Sequence, residues 1–201
     1  MSERQKGRSS SRERILDAAS QLVCEIGAGR LTLDAVADRA GLSKGGLLYS
    51  FPSKDDLLRG MVERMVADAL SDKAALSSAL SHKTNVAARV AIEIASRMRC
   101  SRSADVASGL LAASAENPTL LHPVRDVIAQ DWQALKTTSD DCDAAMLAWL
   151  ANEGLRCLDM HGVSPLNDED RTAVAAAVDR LLDNGIAASP LRPPSRESTE
   201  A

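Results

Sequence analysis

With 201 residues the chain has room for one large or two small domains, and no run approaches 18 uninterrupted apolar residues, so none reads as a transmembrane helix. Aromatics at 2% favour helices over sheets, and a net charge of −4 by itself argues against a nucleic-acid binder. The charge is uneven, however: residues 1–50 hold 8 Lys/Arg against 6 Asp/Glu and residues 51–201 hold 16 against 22, a mildly basic head on an acidic body, as suits a DNA reader joined to a second domain.

Residues 1–10 are polar, serine-rich and basic through Arg4, Lys6 and Arg8, and are expected to form a disordered arm. No apolar core of a signal peptide follows them, so a cytoplasmic protein is expected. Ser11 to Ile26 carries Ile15, Ala18, Ala19, Leu22, Val23 and Ile26 at i, i+3, i+4, i+7, i+8 and i+11, an amphipathic helix that Gly27 and Gly29 end. A second, short helix is expected from Leu33 to Ala40 with Thr32 as N-cap. Gly41 stands where the chain must leave that helix, and glycine takes the left-handed conformation at least steric cost. Ser43 caps a third helix, Lys44 to Ser50, and Val36, Ala40, Leu42 and Leu47 turn inward. Two short helices across a tight turn, roofed by a third, form a helix-turn-helix whose last helix enters a DNA major groove.

Phe51 is the only phenylalanine and reads as a core plug, and Pro52 stops the helix before it. Ser53 opens the next helix with Asp56 at capping-box spacing. That helix runs from Lys54 past Ala69, with Leu57, Leu58, Met61, Val62, Met65 and Val66 on one face. Residues 71–84 have weaker periodicity and contain a helix end and a loop. Further helices are expected from Asn85 to Met98, with Val86, Val90, Ile94 and either Ala87 or Ala91 facing in, and from Ser103 to Glu116. Thr119 to Lys136 carries a stripe of Leu121, Val124, Val127, Ile128, Trp132 and Leu135, and Pro123 either kinks it or makes it start at His122. The last pair, Ala144 to Met160 and Asp168 to Ile186, is joined by a short Gly- and Pro-bearing link and is therefore antiparallel. Residues 189–201 are a Pro/Ser-rich tail expected to be disordered.

The run LTLDAVADRAGLSKGGLLYSFPSKDDLL, with its Gly-Leu-Ser turn, Lys-Gly-Gly start, Tyr-x-Phe pair and Ser-Lys-x-x-Leu, resembles the DNA-binding domain of the TetR family of bacterial repressors. The resemblance covers roughly residues 11 to 65. It implies an all-α chain in four parts: arm 1–10, helix-turn-helix domain 11–53, ligand-binding and dimerisation domain 54–188, and tail 189–201. It implies that Thr32, Ser43, Lys44, Gly45, Gly46, Leu47, Tyr49, Ser50 and Lys54 form the surface for an operator. The physical case runs beside it: Thr32, Ser43 and Ser53 stand at helix N-termini, where free N–H groups favour phosphate. Lys44, Lys54 and the Tyr49 hydroxyl add polar contacts to the backbone. Two glycines in so short a helix point to close approach of the backbone, and for Leu47 a place in the core is the better reading. Ser50 departs from the pattern, standing where relatives usually carry histidine or another tyrosine.

No catalytic set is visible, no metal or cofactor is implied, and the His161–Cys157 pair alone is a weak metal signal. The resemblance puts a pocket for a small-molecule effector among the middle helices, for which Met98, Leu111, Trp132, Met146, Trp149 and Glu153 are the candidates. Acidic Glu93, Glu116, Asp131 and Glu153 would select a cationic ligand. Leu147, Leu150, Leu158, Val174, Val178, Leu181 and Leu182 exceed what two helices can bury against each other, and a two-fold homodimer through a four-helix bundle is the natural solution. Cys24, Cys100, Cys142 and Cys157 form no CxxC pair and read as free thiols. The reading is thus a dimeric, effector-released repressor. The alternatives are a helical interaction module without specific DNA binding, or a thiol-based redox-sensing regulator.

Overall fold

The computed structural model describes residues 10–99 and 103–186, and the expected arm (but for Ser10) and tail lie outside them, as does Cys100. Among the described residues there are nine α-helices: α1 Ser11–Ile26, α2 Leu33–Ala40, α3 Lys44–Ser50, α4 Lys54–Ala79, α5 Val86–Arg99, α6 Ser103–Ser114, α7 His122–Thr138, α8 Cys142–Met160 and α9 Asp168–Asn184. Short 3-10 turns at Ala28–Arg30 and Pro118–Leu121 link α1 to α2 and α6 to α7. None of the helices is long and apolar enough to cross a membrane.

Local chemistry sets the head. The Ser10 hydroxyl accepts from the Glu13 N–H, Thr32 from Ala35 and Ser43 from Gly46, each supplying one acceptor to a helix that begins with unpaired donors. Gly41 sits at φ +63°, and the Gly41 and Leu42 amides donate back to Asp38 and Ala37, which closes α2 and turns the chain into α3. Arg14 of α1 donates to the Ala40 carbonyl at 2.6 Å and so clamps this turn from above. At Ser53 only half of the expected capping box forms: its hydroxyl accepts from the Asp56 N–H but donates to the Asp56 carboxylate. The complete box is at α9, between Asn167 and Asp170.

The head core does not stop at residue 53. Ile15, Leu16, Val36, Leu47 and Phe51 are continuous with Leu57, Leu58, Met61 and Val62 of α4, with Val106 and Leu110 of α6, and with Leu120. Helix α6 lies close on α1 because Gly109 has no side chain: a Cβ there would meet Val23 Cγ1 at 2.6 Å. Gly109→Ala is therefore expected to lower stability, since overpacking strain of about 1–3 kcal/mol outweighs the gain of ~1 kcal/mol for alanine over glycine in a helix. Thermal melts check this, and adding Val23→Ala should recover part of the loss.

The body packs around a smaller cluster of Ala88, Leu135, Ala145, Ala148 and Leu182. Ala88, not Val86, faces inward on α5. Helix α4 continues to Ala79, and α7 starts at His122, with the preceding four residues wound as the 3-10 turn. Of the stripe expected on α7 only Leu135 is fully buried and Ile128 is exposed, because α7 lies at an edge of the bundle with one side open. Where α5 and α8 begin and α9 ends, buried Asn85 at φ +53° accepts from the Asp141 N–H and donates to the Leu182 carbonyl.

Candidate nucleic-acid interface and effector recess

Helix α3 presents one side to the core and the other to solvent. Leu47 is 0% exposed, so of the predicted DNA-contact residues it is a core residue that fixes α3 rather than a base reader. Tyr49, by contrast, is 92% exposed, with nothing in the head to account for an uncovered ring. Thr32, Ser43, Lys44, Gly45 and Gly46 are exposed beside it, while Ser50 and Lys54 are half-buried. The Thr32 and Ser43 hydroxyls accept from their own helices and keep their hydrogens to donate. A Cβ on Gly45 would meet nothing within 4 Å, so packing in the chain does not call for glycine there.

The charges on this face are held in place. Lys44 Nζ lies 2.8 Å from Asp34 of α2, and Lys54 Nζ donates to the Gly29 carbonyl at 2.7 Å. Arg39 makes a two-pronged pair with Glu25 at 2.8 and 2.7 Å. Hydrogen bonding to Glu25 holds the Arg39 guanidinium above its ordinary pKa, against the opposing effect of burial. Arg14 was not singled out from the sequence, since a helical arginine carries no sign that it caps a distant turn.

In the body, Trp132 of α7 and Trp149 of α8 meet with ring centroids 5.6 Å apart and planes tilted by 53°. With Arg125, Ile128 and Ala129 they line a recess of about 420 Å³ that opens to solvent. Met146 packs in the same cluster as the two rings. Met98 and Leu111 do not line the recess, for they sit on α5 and α6, so the structure does not gather the predicted ligand set into one place. Nor are the acidic candidates there: Asp131 pairs with Lys73, Glu153 with Arg156 and Glu93 with Arg97. Of the other lining residues, Ile128 reads from the sequence as part of the inward stripe, while Arg125 and Ala129 give no sign in the sequence of a place beside the two tryptophans.

On the outer side of α8, Leu147 and Leu150 are 52% and 50% exposed. Leu158, Val174, Val178 and Leu181 are half-buried, the last two against the body cluster. Leu182 is itself a member of that cluster: at 1% exposed, against Ala88 of α5 and Ala145 and Ala148 of α8, it is removed from the expected dimer surface. Cys142 and Cys157 carry no disulfide, and among the described residues no group of three or more His, Cys, Asp and Glu gathers as a metal site.

Residues 15–61 match the family model of the bacterial regulatory proteins of the tetR family, and residues 87–183 match that of the tetracyclin repressor-like C-terminal domain. A search of curated proteins finds no match. Among solved structures, the chain is similar to a transcriptional regulator from Rhodococcus sp. Rha1, at 19% identity and a TM-score of 0.68 over 86% of this chain and 96% of that one. It is similar to a TetR-family member from Streptomyces coelicolor A3, at 22% identity and 0.63 over 87% and 99%. The multidrug binding protein EbrR complexed with malachite green aligns at 20% identity and 0.62 over 87% and 99%. At these identities the structures share a fold.

Proposed function

We propose, since the chain belongs to the TetR family of bacterial regulatory proteins, that it is a repressor that binds a palindromic operator as a dimer and leaves it when a small hydrophobic effector binds the body. The observation that carries the reading is α3: a helix anchored by Leu47 that exposes Tyr49 and a glycine pair, of which Gly45 has open space around it. Such a helix allows its backbone close to a sugar-phosphate chain, where Thr32, Ser43, Lys44 and Lys54 supply donors. The exposed Leu147 and Leu150 of α8, with half-buried Val174 of the neighbouring α9, are the apolar surface offered to a second copy. Dimerisation there would carry two heads to two half-sites.

The effector reading rests on the Trp132–Trp149 recess, and a ligand-binding precedent in the same fold exists in EbrR with its bound dye. Release is a population shift: the effector must bind the DNA-free form better, and couplings of roughly 1–3 kcal/mol are typical. The carboxylates that would draw a cation are largely occupied by lysine and arginine, so the recess gives a cationic effector no support.

Gly45→Ala tests the α3 reading. The variant should fold at least as well as the parent, by up to ~1 kcal/mol, because alanine favours helix and meets no neighbour. Its operator affinity should nevertheless fall about tenfold, or ~1.4 kcal/mol, because a methyl group then stands between the helix and the phosphates. Equal stability with equal affinity would remove α3 from the interface.

A further inference from the structure

We propose that the α7–α8 recess takes a planar aromatic anion, its ring lying on Trp132 and Trp149 and its negative group paired with Arg125. This inference rests on the effector reading above and names the ligand class of that site.

Shape supplies the first argument. The indole centroids are 5.6 Å apart and tilted by 53°, so the two rings make a wedge and do not form parallel jaws. A third ring slipped between them would need about 7 Å, twice the ~3.5 Å van der Waals contact. A flat ligand therefore lies across the open face of the wedge, with Ile128 and Ala129 flooring its other edge. The volume of about 420 Å³ lies within the range usual for small-molecule sites.

Charge supplies the second. Arg125 is the one charged residue lining the recess, and among the described residues it forms no hydrogen bond or ion pair. Arg125, Ile128, Ala129 and Trp132 stand at i, i+3, i+4 and i+7 of α7, which puts Arg125 on the same helix face as the ring. The lining is almost wholly apolar, so the Arg125 stem walls the recess and its exposed guanidinium must reach a bound group from outside that lining. Its planar fork matches a carboxylate with two parallel hydrogen bonds. The acidic residues that would select the opposite charge are spent: Asp131, next to Trp132, pairs with Lys73 of α4, and Glu153, one turn from Trp149, pairs with Arg156. Asp126 follows Arg125 in sequence but does not line the recess.

The two tryptophans are the only ones in the chain, so tryptophan emission, excited at wavelengths where the single tyrosine does not absorb, reports on this site alone. The full-length protein is titrated with 1-naphthoate, 1-naphthalenemethanol and 1-naphthylmethylammonium, three ligands of one ring system and differing charge. The expected result is naphthoate binding at least about tenfold tighter than the ammonium, with the alcohol between. Arg125→Gln should bring all three within about threefold and Arg125→Glu should reverse the order. Equal or tighter binding of the ammonium by the parent protein would overturn the proposal, as would a naphthoate preference that survives Arg125→Gln. Circular dichroism checks that the exposed substitutions leave the fold intact. A gel shift on the same preparations keeps the two readings apart: an anion preference in a protein that binds no operator would overturn the repressor function and uphold the ligand class.

Discussion

Replacing Lys44 and Tyr49 together by alanine is expected to abolish operator binding and leave the fold untouched. Both side chains point away from the core, and their only structural tie is the surface pair between Lys44 and Asp34. Exposed pairs of this kind contribute about 0–1 kcal/mol, so the melting temperature should hardly move. On DNA the balance differs. A hydrogen bond to a charged group contributes roughly 1.5–3 kcal/mol, and a dimer makes each contact twice. Loss of both should weaken the complex by at least ~100-fold at moderate salt and flatten its salt dependence. Anisotropy titrations with a labelled operator, beside thermal melts of the same samples, make the comparison. Unchanged affinity would mean a helix-turn-helix kept only for packing.

Asn85→Ala should cost the body about 3 kcal/mol, from one backbone amide left without its acceptor, one carbonyl left with a single donor and an alanine forced to positive φ. The Asp141 N–H loses its acceptor, while the Leu182 carbonyl keeps only the Thr84 hydroxyl. Asn85→Gly loses the same hydrogen bonds but not the backbone fit, since glycine accepts φ +53° freely. The expected order is parent, then glycine, then alanine, with about 1 kcal/mol between the variants. Urea unfolding followed by tryptophan emission reads it, because both indoles are in the body. Alanine more stable than glycine would show that the backbone angle contributes nothing.

The head was legible because short-range rules decide it. Thr32, Gly41, Ser43 and Ser53 each act within a few residues of themselves, and α1, α2 and α3 have the bounds that their caps and glycines dictate. The body was read less well. Its core is largely alanine, and in an alanine-rich helix neighbouring faces differ too little in hydrophobicity to say which one is inside. Val86 gave way to Ala88 for that reason, and Leu182 could not be told from Leu147 or Leu150. The head–body seam was invisible for a different reason. Gly109 reads as a weak point in a helix until Val23 is seen against it, and Arg125 and Asn85 acquire their roles only from residues brought to them by the fold.

The central claim is sequence-specific DNA binding by a dimer, and a gel shift on the DNA upstream of the protein's own gene, run across a salt series with nonspecific competitor, tests it most directly. A complex of two chains per palindrome that survives competitor at physiological salt is the predicted result. A band that forms only at low salt and is lost to competitor would mean phosphate attraction alone, and would contradict the account.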